Sequence, residues 1–131
     1  MQRPNFQITD NGLELKVAIL AAVWTIRVIK REKDPILAQD DCNGYCDWTT
    51  RRIVVVDFLA DDENEHGNPE RITEKVLRHE IIHAFLFESG LAYKFEHPET
   101  GHDEQYVDWF AIQSPKIFRV FSELDLLGEY A

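Results

Sequence analysis

Basic residues are scarce in this chain: 14 lysines and arginines stand against 24 aspartates and glutamates, a formal charge of −10. A phosphate-binding surface needs an excess of cations to displace counterions, and the few present are scattered along the sequence, so nucleic-acid binding is not expected. Long apolar runs are missing as well. The start, Met1-Gln2-Arg3-Pro4-Asn5, carries no apolar signal segment, and the run Val17 to Val23 is too short to span a bilayer. These absences predict a cytoplasmic protein with no membrane contact. Cysteine is limited to Cys42 and Cys46. On an extended strand their Cα atoms would lie about 13 Å apart, against a limit of about 7 Å for a disulfide. Two reduced, strand-facing thiols are expected, and two thiols alone do not complete a structural metal site, which takes four ligands.

What is present suits one compact domain covering residues 1–131. A chain of 131 residues with 44% hydrophobic content can bury roughly two-thirds of its unfolded surface. Leu13 to Ala22, rich in strong helix formers, predicts a helix. Trp24 to Ile29 alternates and is β-rich, predicting a strand. Asn43 to Trp48 and Arg52 to Phe58 predict two more strands, joined by a turn at Thr49-Thr50, and together a small mixed sheet. Leu59 to Gly67, with Asp61, Asp62, Glu63 and Glu65, reads as a solvated acidic loop without the spacing of a calcium loop.

The strongest signal follows that loop. Asn68-Pro69-Glu70 supplies an N-cap, a proline at the first helical position and an acid in the first turn. Val76, Leu77, Ile81, Ala84, Phe85 and Leu86 then recur at helical spacing until Ser89-Gly90 stops the helix. In its middle stands His79-Glu80-Ile81-Ile82-His83. H-E-x-x-H on a helix places two imidazoles on one face, able to reach one zinc ion, with Glu80 bordering that face. A catalytic zinc takes a third protein ligand and keeps a position for water. The metzincin continuation is excluded, because Leu86 and Ser89 replace its glycine and histidine. Downstream, Gly101 to Ala111 reads as a second helix capped by Asp103, with Glu104 and Asp108 one turn apart, and Glu104 is the candidate ligand.

With H-E-x-x-H followed some twenty residues later by E-x-x-x-D, the chain resembles a gluzincin, the zincin clan that includes thermolysin. Glu104 to Ala111 also resembles the E-x-x-A-N-x-F-A stretch of ImmA/IrrE-type metallopeptidases, with Val107 and Asp108 in place of Ala and Asn. The layout from about Asn43 to Pro115 is similar to minigluzincins and to small phage or prophage metallopeptidases, while the first forty residues match no such pattern. The resemblance implies an α+β, zincin-like fold with a small mixed sheet packed against the H-E-x-x-H helix and a glutamate helix. It implies Zn2+ held by His79, His83 and Glu104, Asp108 behind a ligand histidine, and Glu80 as general base. The activity implied is hydrolysis of a peptide or protein substrate by a zinc-activated water. The alternative is a non-catalytic, zinc-stabilised interaction or virion-associated domain, with His102 the candidate fourth ligand.

Other residues carry less. His66 and His97 read as loop histidines, and His102 as a loop histidine that could instead be a ligand. Tyr45, Tyr93 and Tyr106 are candidate oxyanion donors, and no motif selects one. Ser114-Pro115 is expected to break the glutamate helix and cap a last one, Lys116 to Leu127, burying Ile117, Val120, Phe121 and Leu124. The substrate and the oligomeric state are not written in the sequence.

Overall fold

The computed structural model describes residues 7–9, 12–60, 67–90 and 103–128, the first three by their backbone alone. Among the described residues five strands form one mixed sheet in the order β1-β2-β3-β5-β4: β1 (Gln7–Thr9), β2 (Gly12–Ile19), β3 (Ala22–Ile29), β4 (Gly44–Asp47) and β5 (Arg52–Val56). All neighbours are antiparallel except β3 and β5, which run parallel with Ile26 opposite Ile53. Among the described residues three α-helices accompany the sheet: α1 (Pro35–Asp40), α2 (Pro69–Ser89) and α3 (Glu104–Glu123). The α+β class is as expected, and among the described residues no helix is long and apolar enough to cross a membrane.

The segment expected to be a helix from Leu13 to Ala22 is a β-hairpin. Leu13, Leu15, Val17 and Ile19 alternate with Glu14, Lys16 and Ala18, the period of a strand, and this pattern overrides helix propensity once β3 offers a partner. Leu20 and Ala21 make the two-residue turn with φ of 49° and 71°, the left-handed pair that matches the twist of the flanking strands. Neither is glycine, so the turn costs roughly 1–2 kcal/mol per residue and is held by the seven residue pairs from Leu13↔Val28 to Ile19↔Ala22. Gly12 precedes them at φ +98°, where any Cβ would strike the Val28 carbonyl. The first forty residues thus supply two main strands of the sheet, and Trp24 is wholly buried.

The three strands predicted are present: β3 begins two residues earlier, at Ala22, while β4 and β5 are slightly shorter than expected. Ile53, Val54, Val55 and Val56 are all fully buried; since successive side chains point to opposite faces, β5 is covered on both. Between β3 and β4, buried Asp34 caps α1 by accepting from the Ile36 and Leu37 amides at 3.0 and 3.1 Å, and accepts from the Tyr45 hydroxyl at 2.9 Å. Arg31 donates to the Cys42 carbonyl at 2.7 Å and to Asn43 Oδ1 at 3.2 Å, tying this connection to the entry of β4.

Helix α2 lies against β4, β5 and β2 on one side and α3 on the other. Its ends are pinned to the sheet. Thr73 Oγ1 accepts from the Phe58 amide at 3.3 Å and donates to the Pro69 carbonyl at 2.8 Å. At the far end Glu88 Oε1 accepts from Trp24 Nε1 at 2.8 Å and Arg51 Nε at 2.6 Å.

The break expected at Ser114-Pro115 is not there: α3 runs unbroken through Pro115. A proline inside a helix leaves the carbonyl four residues earlier without its donor. That carbonyl belongs to Ala111, and Arg78 Nε of α2 donates to it at 2.6 Å. A cation on the neighbouring helix replaces the lost bond, so the helix continues. The expected core stripe is also overturned. Val120, Phe121 and Leu124 are 50%, 39% and 63% exposed, because α3 extends past the part of α2 that covers it and no described element packs there.

Candidate metal centre

The middle of α2 is presented to α3 by local signals at both helix ends. Asn68 Oδ1 accepts from the Arg71 amide at 3.0 Å, Pro69 opens the helix, and Gly90 closes it at φ 84°. These caps leave one uninterrupted helix through the H-E-x-x-H segment. Asp103 Oδ1 accepts from the Gln105 and Tyr106 amides at 2.9 and 3.4 Å, which sets Glu104 at the first position of α3. A carboxylate is favoured there by the helix dipole.

The sequence-predicted ligands meet. Glu104 Oε2 lies 3.0 Å from His79 Nε2, and its Oε1 lies 3.0 Å from His83 Nε2. The two Nε2 atoms are 3.2 Å apart. All these donor atoms fall within 4.8 Å of one another. Tetrahedral zinc, with ligands at about 2.0–2.2 Å, holds its donors roughly 3.3–3.6 Å apart; two imidazoles and a carboxylate are donors of the right chemistry and could hold such an ion by spreading a few tenths of an ångström. His79 and His83 are largely shielded, with 17% and 10% of their side chains accessible, whereas Glu104 keeps 67% open. Among the described residues, the group is most open on the Glu104 side.

Asp108 stands where the E-x-x-x-D spacing predicts, its Oδ1 3.3 Å from His79 Nδ1. An acceptor there holds the proton on Nδ1 and leaves the Nε2 lone pair facing Glu104 and His83. Lys75 Nζ also pairs with Asp108 Oδ1. Its bond, with that from His79, holds the Asp108 carboxyl below the usual carboxylate range despite partial burial. Lys75 was not singled out in the sequence, although a cation one turn before His79 could have been.

Glu80, the next residue along α2, lies against the start of β4 and close enough to Glu104 to feel its charge. It is 7% exposed, and burial, then the negative charge of Glu104, pushes its carboxyl up to about 7. A carboxyl poised there can exchange protons near neutral pH. Gly44, at the start of β4, makes this packing possible. A Cβ on it would meet Val76 Cγ1 at 3.0 Å, the Val54 carbonyl at 3.2 Å and Glu80 Cγ at 3.3 Å. A side chain there would make these neighbours give by a few tenths of an ångström, so glycine lets the outermost strand lie close to Glu80 without displacing them.

The remaining candidates separate. Tyr45 is committed to Asp34, and burial together with that bond drives its hydroxyl up to about 12. Tyr106 is 73% exposed on α3. Both cysteines are free, Cys46 on β4 as expected and Cys42 just before it. Burial drives the Cys46 thiol up to about 12. His66, His97, His102, Tyr93 and most of the acidic loop lie outside the described residues. The chain matches no family model, no curated protein and no solved structure, and its functional reading stands on this geometry.

Proposed function

We propose that the chain is a zinc-dependent peptidase of gluzincin type, zincin-like in architecture and acting in the cytoplasm. The observation that carries this reading is the convergence of His79, His83 and Glu104 donors, with Asp108 behind His79 and buried Glu80 beside them. Zinc held by the three would supply a water acidified toward a pKa of about 7 and a Lewis acid for the scissile carbonyl.

The chain's own groups do the rest. Glu80 accepts the proton of the attacking water and delivers it to the departing nitrogen, a shuttle that needs a carboxyl able to hold a proton transiently. Asp108, fixed by Lys75, keeps the His79 ring oriented. The substrate lies extended along the outer edge of β4, where it can pair as an added strand, and Gly44 brings that edge against Glu80.

The test is metal content together with turnover. Wild type should retain about one zinc per chain after mild chelation and hydrolyse an unstructured protein substrate. Glu104→Ala should lose the metal, and Glu80→Gln should keep it while turnover falls by orders of magnitude. Unchanged hydrolysis in Glu80→Gln would sink the proposal, and wild type that takes up no zinc even on reloading would remove the metal with it.

A further inference from the structure

Beside the metal centre, between the first half of α2 and the second half of α3, lies a cavity of about 410 Å³. Its walls carry Arg71, Lys75 and Arg78 from α2 and Lys116 from α3, with Ile72 and Ile112 as apolar lining. Four of the chain's 14 basic residues therefore meet in one hollow of a protein whose formal charge is −10. In the sequence they are unremarked because three sit at helical spacing among acids and the fourth is contributed by another helix.

The four cations have different commitments. Lys75 is paired with Asp108, and Arg78 Nε is engaged by the Ala111 carbonyl. Arg71 and Lys116 have no ion-pair partner among the described residues, and both side chains are exposed. Burial lowers the Arg78 pKa, Glu74 opposes that shift, and Arg71 adds a smaller repulsion. Converging cations repel, and a bound anion relieves the repulsion. The Gly67-Asn68 entry to α2 also lines the hollow, placing the positive end of the helix dipole on the same side.

We propose that this cavity is a binding site for a small organic oxyanion, a carboxylate or phosphate ester whose charged end meets Arg71 and Lys116 while its body lies on Ile72 and Ile112. Planar guanidinium and mobile ammonium suit both oxyanions. The site does not depend on the metal reading, since none of its cations is a candidate zinc ligand.

Calorimetric titration of the full chain at low salt, in a buffer without multivalent anions, tests it. The probes are inorganic phosphate, the dicarboxylate dipeptide N-acetyl-Asp-Glu C-terminal amide, and its uncharged counterpart N-acetyl-Asn-Gln C-terminal amide. At least one anionic probe should bind once per chain, with affinity falling as salt rises, and the amide dipeptide should not. Arg71→Gln and Lys116→Gln, both at exposed positions and expected to melt as wild type, should each weaken binding about tenfold or more. Tighter binding of phosphate would identify a phosphate ester as the source, and tighter binding of the dipeptide an acidic peptide. No binding of either anion, or binding undiminished in both variants, would overturn the site.

Discussion

Arg78 is the group whose replacement is most revealing, because its bond to the Ala111 carbonyl exists on account of Pro115. Arg78→Met keeps much of the stem and removes the donor. The cost should be about 1–2 kcal/mol, the lower part of the range for a charged donor, since the side chain is only half-buried. With an unfolding entropy of about 2.1 cal/mol/K per residue, that lowers Tm by about 4–7 °C. In a Pro115→Ala background residue 115 regains its N–H and the carbonyl its helical donor, so the same replacement should cost about 1 kcal/mol less. A double-mutant cycle read by urea unfolding isolates this coupling. Relief of cation crowding in the nearby cavity occurs in both backgrounds and cancels. Equal costs in the two backgrounds would refute the claim that Arg78 substitutes for the missing amide.

Three further outcomes are expected. Asp108→Ala should weaken zinc binding about 10–100-fold without unfolding the chain, measured by competition with a chromophoric chelator, because the His79 ring loses its acceptor. Gly44→Val should cost about 1–3 kcal/mol in chemical denaturation, as side-chain atoms are forced against Val76 and Glu80, and should depress any hydrolysis further than stability alone explains. The Cys46 thiol ionises near 9 when unfolded and near 12 when folded; between these values the unfolded chain binds fewer protons, so stability falls as pH rises from about 9 to 12. Cys46→Ala should remove that part of the alkaline decline in Tm, and an identical decline in both proteins would count against the assignment.

The parts of this molecule that were legible in its sequence are those specified locally. Asn68, Pro69 and Gly90 fix α2, Asp103 fixes the start of α3, and the spacing of two motifs then brings His79, His83, Glu104 and Asp108 together. What was misread depends on partners far along the chain. Leu13 to Ile19 satisfies strand alternation and helix propensity alike, and β3 decides between them. Pro115 ends a helix unless another group takes the orphan carbonyl, and Arg78 lies 33 residues from Ala111. Amphipathic spacing from Ile117 to Leu124 marks a face but not what covers it. Gly44 looked like an ordinary strand residue, and its value appears only when α2 is laid against β4.

The clasp between α2 and α3 also decides which lengths in this chain are free to vary. Glu104, Asp108, Ala111 and Pro115 share one stripe of α3, and three of them are read by α2 through His79, His83, Lys75 and Arg78. One residue inserted inside that stripe turns Glu104 about 100° away from the histidines and shifts it about 1.5 Å along the axis. The count between Gly90 and Asp103 carries no such phase, since the helices on either side are docked by their own contacts. Sequences sharing this centre should therefore keep the count from glutamate to proline while the count between the two motifs drifts.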